Sequence, residues 1–252
     1  VPNSAPGAEA GSKGGLGTVR NAVRLIELLG EGPAFQQLSD LAERSGMSLP
    51  TVHRLLRSLV LADLAVQDEQ SSRYGLGPEL TRLSAHYLTR LPLLGALGPY
   101  LSPLHDELST TLYVMTLVHG EVVYVDRVDG PSSGPYRDTH RVYPALLTAG
   151  GRLLAARSDD ASWEQALRLL DDGEREKAVA ARDEWAVAPW LAVAPDDPTI
   201  SPEVAVPVID GRGNAVGALS AAVADAHAEN NSAVAASLSR AARAAGRTLS
   251  HV

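Results

Sequence analysis

The chain has 252 residues, 45% of them hydrophobic, and carries a formal net charge of −8. It has no cysteine, which excludes disulfides, thiolate metal sites and a cysteine nucleophile. No apolar run approaches the ~18 residues of a membrane span, and the Gly-, Ser- and Ala-rich stretch 1–17 lacks the apolar core of a signal peptide, so it reads as a disordered tail and the expected compartment is the cytoplasm.

The length suits two modest domains or one large one, and the organisation along the chain favours two. Charge is unevenly divided between them. Residues 1–90 hold nine basic and nine acidic side chains, so the whole net −8 lies beyond them. A basic surface in the first part is therefore a local matter.

Val19, Ala22, Val23, Ile26 and Leu29 recur at helical spacing, and Gly30, Gly32 and Pro33 end that helix. Leu38, Leu41 and Ala42 mark a short second helix that stops at Ser45 and Gly46. Ser48 is placed as an N-cap with Pro50 in the first turn, and Val52, Leu55, Leu56, Leu59 and Val60 form the stripe of a third helix. Helix, short helix, glycine turn and helix in this order are a helix-turn-helix. Two strand-like runs, 64–67 and 73–76, surround the polar turn 68–72 and predict a wing. Leu80, Leu83, Tyr87, Leu88 and Leu91 trace one linker helix up to Pro92.

Beyond it helix and strand alternate. A helix through Leu97, Leu101, Leu104 and Leu108 precedes two β-rich runs, 112–118 and 122–128, with a third strand over 137–143. Helices follow around Leu153, Leu167 and Val179, then a hairpin at 210–213 and a long Ala-rich helix over 229–249. The expected fold class is α+β: an N-terminal winged helix-turn-helix plus a C-terminal effector domain, an antiparallel sheet with helices that resembles the GAF/PAS sensors. The expected division is a tail over 1–17, a winged helix-turn-helix DNA-binding domain over 18–78, a linker helix over 79–95, and an effector-binding and oligomerisation domain over 96–252.

The third helix carries the chemistry. With its apolar stripe inward, Pro50, Thr51, His53, Arg54, Arg57 and Ser58 face out, with Ser48 at the start and Arg73 in the wing. Arginine bridges guanine O6 and N7 or grips phosphate, and Thr and His donate to phosphate or read base edges. The same face on another protein is simply solvated; the preceding turn and the following wing favour double-stranded DNA. Seven histidines show no ligand spacing, so no metal and no cofactor is expected. No Gly-x-Ser-x-Gly elbow or P-loop supports an enzyme. A small-acid-processing enzyme with an N-terminal docking module, and a winged helix that binds protein, stay open as alternatives.

Three separated segments, TVRNAVRLIELL from Thr18, LSDLAERSGMSLPTVHRLLRSLVLADL from Leu38 and RYGLGPEL from Arg73, together with GEVVYVDRV from Gly120, resemble the IclR family of bacterial transcriptional regulators. The resemblance implies a homodimer, often a tetramer, acting as repressor or activator, and a small organic effector; a two-fold dimer predicts a pseudo-palindromic operator, and the expected role is repressor of a catabolic operon. It implies an effector site at the Gly-rich helix start Thr148, Ala149 and Gly150, with Ser201 and Glu203 opposite and Tyr136 and Val142 as a wall. Carboxylate-binding members carry Asp and Cys where this chain has Val193 and Glu203. That departure implies a neutral or amphiphilic aromatic or amide-type effector lying between the helix start and the Glu203 strand, with Trp185, Trp190 and Leu191 over its body.

Overall fold

The computed structural model describes residues 10–131, 141–195 and 201–250. They fall into two compact units that divide after Thr89. The first comprises α1 (Ala10–Gly30), α2 (Leu38–Ser45), α3 (Leu49–Leu61), the antiparallel hairpin β1 (Ala65–Gln67) and β2 (Tyr74–Leu76), and α4 (Glu79–Leu88). This is a winged helix-turn-helix.

Leu25, Leu28 and Leu29 of α1, Leu41 and Ala42 of α2, and Val52, Leu55, Leu56 and Leu59 of α3 close its core with Ala65 and Tyr74 from the wing. The inward face of α1 differs from the expected stripe. Val19 and Val23 are 65% and 47% exposed, while Ala22 and Ile26 only flank the core. Only the last two turns of α1 lie against α2 and α3, so the residues that follow Leu25 at i+3 and i+4 are the ones buried. The helix also begins at Ala10, inside the stretch read as a tail.

A glutamine that hydrophobic patterning passes over closes α1. Gln36 is buried, and its Nε2 donates to the carbonyls of Leu28 (2.8 Å), Leu29 (3.3 Å) and Glu31 (3.1 Å), groups a helix end leaves unpaired. Its Oε1 accepts from Arg44 at 2.7 Å, and its backbone bridges to Tyr74 of the wing. Gln36→Leu is expected to destabilise this unit by about 1–3 kcal/mol, because the Leu29 carbonyl loses its side-chain donor and the Arg44 guanidinium loses its acceptor, leaving Arg44 alone on the Leu28 and Glu31 carbonyls. Denaturant unfolding of the two proteins checks this.

The second unit comprises α5 (Pro92–Leu108), β3 (Leu112–Val118), β4 (Glu121–Val128), β5 (Val142–Pro144), α6 (Ala149–Ala156), α7 (Asp160–Leu167), α8 (Asp172–Val187), β6 (Leu191–Val193), β7 (Glu203–Ile209), β8 (Ala215–Ala222) and α9 (Asn231–Leu249). The strands form one antiparallel sheet in the order β5-β4-β3-β8-β7-β6. Alternation along each strand serves two cores. Leu112, Val114, Val204, Val206, Val208 and Leu219 meet α5 and α9 on one face. Tyr113, Met115, Tyr124 and Ala218 meet the layer of α6 to α8 on the other. The class is α+β, with helices on both faces of an antiparallel sheet.

The single linker helix expected over 79–95 is two helices. It stops at Leu88, and Leu91, extended at φ −73° and ψ 110°, is the cap of α5. The residue before a proline is pushed out of the helical region, and Pro92 stands directly behind it. Leu91 packs against the core of the second unit and does not continue the face of α4.

Candidate functional site

Gly46, at φ 69°, takes the left-handed conformation that lets the chain leave α2 and enter α3. Ser48 stands at the N-cap position of α3, but its hydroxyl bonds to the Thr51 hydroxyl at 2.9 Å and caps no amide. Burial of Val52, Leu55, Leu56 and Leu59 turns His53, Arg54, Arg57 and Ser58 outward. Ser48 and Pro50 are exposed as well, and Thr51 is half-buried. In the wing, Asp68 accepts from the Ser71 amide (2.7 Å) and hydroxyl (2.5 Å), which holds its carboxyl below the usual carboxylate range and shapes the turn. Arg73 is exposed where the turn re-enters β2.

Pairing separates the arginines of this unit. Arg24 pairs with Glu27 at 3.3 Å, Arg44 with Glu31 at 2.8 Å, and Arg82 with Glu79. The guanidinium groups of Arg54, Arg57 and Arg73 make no ion pair among the described residues, and neither does that of Arg20 on α1. A unit with no net charge thus keeps unneutralised positive charge on α3 and the wing. Arg20 is the cation that the sequence reading missed.

The second place is the start of α6, against β7 and β8. Glu203 is only 2% exposed. Its Oε1 accepts the Gly150 amide at 3.1 Å and its Oε2 accepts the Ser220 hydroxyl at 2.7 Å. Thr148 caps the helix: its Oγ1 accepts the Gly151 amide at 3.0 Å and its carbonyl accepts Arg152 at 3.0 Å. The Gly150, Gly151 and Arg152 amides of α6 are therefore satisfied by the chain itself.

Close packing explains the glycine pair. A Cβ on Gly150 would stand 2.3 Å from Met115 Sδ, and one on Gly151 would stand 2.0 Å from the Ala145 carbonyl oxygen.

Burial pushes the Glu203 carboxyl up, and its hydrogen bonds, led by Ser220, pull it part of the way back. Between its ordinary 4.5 and the raised value, the folded chain holds a proton that the unfolded chain has released. Stability is then lost as pH rises through this window. The wild-type protein is expected to lose stability relative to Glu203→Gln as pH rises from 4.5, measured as the difference in unfolding free energy across pH.

Next to Glu203 lie Tyr113, Tyr124, Tyr143, Arg141 and Ser201, around a pocket of about 10 Å³, room for about one water molecule. Tyr124 stands edge-on to Tyr113 at 5.1 Å and to Tyr143 at 5.9 Å. Burial drives the Tyr124 hydroxyl far above the usual tyrosine range, so it remains a donor.

The structure thus brings together Thr148, Ala149, Gly150, Ser201 and Glu203. It joins the helix start to Glu203 directly, with no gap for a ligand between them. Val142 is half-exposed on the edge strand β5 and is not among the pocket's walls, and Tyr136 lies outside the described residues. Trp185 belongs to the core, 6.5 Å from Trp163 and under the Arg152 guanidinium. Tyr113, Tyr124, Tyr143, Arg141 and Ser220 were missed. Pairing of β3 with β4 and β8 supplies the signal, since Tyr113 faces Arg127 on one side and Ser220 on the other.

A cleft of about 530 Å³ lies at the β7–β8 turn between Leu93, Val216 and Leu249. Its Asp210 is already engaged by the Arg212 and Asn214 amides. Among the described residues no group of three or more His, Asp or Glu is placed to hold a metal, and no helix is long and apolar enough to cross a membrane.

Residues 18–69 match the model of the IclR helix-turn-helix domain. An HTH-type transcriptional regulator of Mycobacterium tuberculosis is 30% identical over 146 residues, 57% of this chain and 55% of that protein. The chain spans little more than half the length of the first curated relatives it matches. The crystal structure of an IclR family transcriptional regulator from Brucella abortus superposes with a TM-score of 0.78 at 16% identity, covering 97% of this chain and 98% of that one. An IclR homolog from Microbacterium hydrocarbonoxydans, crystallised with 4-hydroxybenzoate, superposes at 0.67 with 20% identity, covering 93% and 100%.

Proposed function

We propose that the chain, whose residues 18–69 match the IclR helix-turn-helix model, is a DNA-binding transcriptional regulator of the IclR family whose second unit takes a small organic effector. The observation that carries the DNA reading is the exposed, unpaired set Arg54, Arg57 and Arg73 on α3 and the wing of an otherwise neutral unit. α3 enters the major groove, where Arg54, Arg57, His53 and Thr51 meet base edges or phosphates, Ser48 and Pro50 lie at the point of entry, and Arg73 grips the backbone beside it. The relatives named above are regulators, which argues against the enzyme reading. The site of action is the cytoplasm.

The experiment is a mobility shift on duplex DNA from upstream of the protein's own coding sequence. Retardation at physiological salt, resisted by random competitor and lost in the Arg54→Ala/Arg57→Ala double variant, supports the reading. Equal binding to any duplex refutes specific recognition.

The acting species is a homodimer or a tetramer built from dimers. No residue of α4 is buried, and Leu83 and Tyr87 stand 46% and 58% exposed on one face with Leu80. A second copy of α4 covers this face. Leu83→Glu/Tyr87→Glu is expected to shift the protein toward monomer by at least about tenfold in dissociation constant, since two apolar anchors are replaced by like charges. Sedimentation equilibrium measures it; an unchanged assembly state removes α4 from the interface. The operator then has two half-sites about one helical turn apart or a multiple of it, and the sign of regulation is repression.

The effector is received by the second unit at the Tyr113, Tyr124, Tyr143 and Arg141 pocket beside Glu203 and Ser201. A like-folded protein crystallised with 4-hydroxybenzoate favours a small-molecule role for this unit. Anything larger than water has to turn the tyrosines aside, which ties occupancy to β3, β4 and β5.

A further inference from the structure

The start of α6 is a cradle for a carboxyl group, and it is already full. The Gly150 amide of α6 and the Ser220 hydroxyl donate one to each oxygen of Glu203, and Tyr124 lines the small pocket beside it. Each carboxyl oxygen thus has a fixed donor from the fold. The cradle is preformed: Gly150 and Gly151 seat the helix start on Met115 and Ala145 too closely for any side chain, and Ser220 is itself fully buried. A helix-terminal amide and a hydroxyl converging in a buried place are donors that a carboxyl group selects.

We propose that Glu203 is a tethered occupant of this cradle and so sets effector specificity: small monocarboxylates are refused at the start of α6, and the effector is received from the tyrosine-lined side. This rests on the proposed effector site, but only for its biological meaning. The cradle and its occupant stand on geometry alone, and the test uses no DNA.

A free acid has to displace a carboxyl group that is covalently held in place and has lost little freedom in binding there. A small acid brings the same group at an entropic cost, without added contacts, so it loses the competition. Cutting the tether reverses this. Glu203→Ala removes a CH₂–COO group, which is acetate within one hydrogen. The variant therefore keeps the donors and gains a hole of acetate size.

The test is thermal unfolding of the wild type, Glu203→Ala and Glu203→Gln in 100 mM acetate, formate, propionate, benzoate or acetamide, with sodium chloride at equal ionic strength as the reference, at pH 5.5 and 7.5. Glu203→Ala is expected to unfold at lower temperature than the wild type and to regain about 3–6 °C with acetate. Formate and propionate should restore less, and benzoate and acetamide nothing. Wild type and Glu203→Gln should not respond, because the cradle is filled in both. If Glu203→Ala is recovered unfolded, acetate during refolding is expected to restore its cooperative transition. A folded variant with no preference for acetate over chloride, or one that acetate fails to refold, overturns the proposal. So does a wild-type protein that acetate stabilises as much as the variant. Loss of operator binding in the mobility shift would instead strike the regulator reading and leave these results unchanged.

Discussion

Arg54→Ala/Arg57→Ala is expected to weaken binding to a specific operator by about 2–6 kcal/mol, because each bidentate arginine–guanine contact is worth about 1–3 kcal/mol. That is a loss of roughly 30-fold to more than 10⁴-fold in affinity. Both side chains are exposed and unpaired, so the double variant should unfold at the wild-type midpoint. The loss is then a loss of contact and not of fold. Salt dependence separates the two kinds of contact. If the arginines hold phosphates, affinity falls about equally for all sequences and the slope of log K against log salt drops by about 0.9 for each phosphate released. If they read bases, discrimination falls while the slope stays nearer its original value. Fluorescence anisotropy across a salt series gives both quantities. Wild-type affinity and slope in the double variant would take α3 out of the DNA interface.

The second large effect is a fold effect. Leu56→Ala is expected to destabilise the first unit by about 2–5 kcal/mol, the usual range for a leucine truncated in a packed core. Leu56 is fully buried, and the same core draws on α1, α2, α3 and the wing, so the vacated space cannot close without moving several elements. Small domains hold only about 5–15 kcal/mol in all. The variant should therefore show an early unfolding transition from the first unit, with the second unit's transition near its wild-type temperature. DNA binding should fall at temperatures above the early transition, although Leu56 touches no DNA. Calorimetry resolves the two transitions. A single transition displaced as a whole would contradict independent units.

The winged helix was legible because its signals are local. The glycine turn at Gly46, the apolar stripe of α3 and the polar turn between β1 and β2 each lie within a few residues, and the fold uses all of them. The face of α1 was not legible, because Val19 and Val23 match the helical period as well as Leu25 and Leu28 do. Only tertiary contact chooses between two apolar stripes on one helix. Gln36 was missed for the same reason: its partners are the carbonyls of a helix end, and no side-chain pattern announces them.

In the second unit, Thr148, Gly150 and Glu203 could be named from the chain, while their relation could not. Glu203 and Gly150 are 53 residues apart in sequence and share a hydrogen bond. Read separately, one is a cradle and the other a wall; in the fold one fills the other. Tyr113, Tyr124 and Ser220 come to the same place through strand register, which a one-residue slip would reverse.

A dimer that reads DNA through two copies of α3 requires a two-fold site. Selection of bound duplexes from a fully random DNA pool tests it most directly, since it presumes no operator. The expected result is enrichment of an inverted repeat whose half-sites are centred about one helical turn apart, or a multiple of it, and no enrichment with Arg54→Ala/Arg57→Ala. A pool that stays random under wild-type selection, or that yields a single asymmetric site bound by monomer, would contradict it.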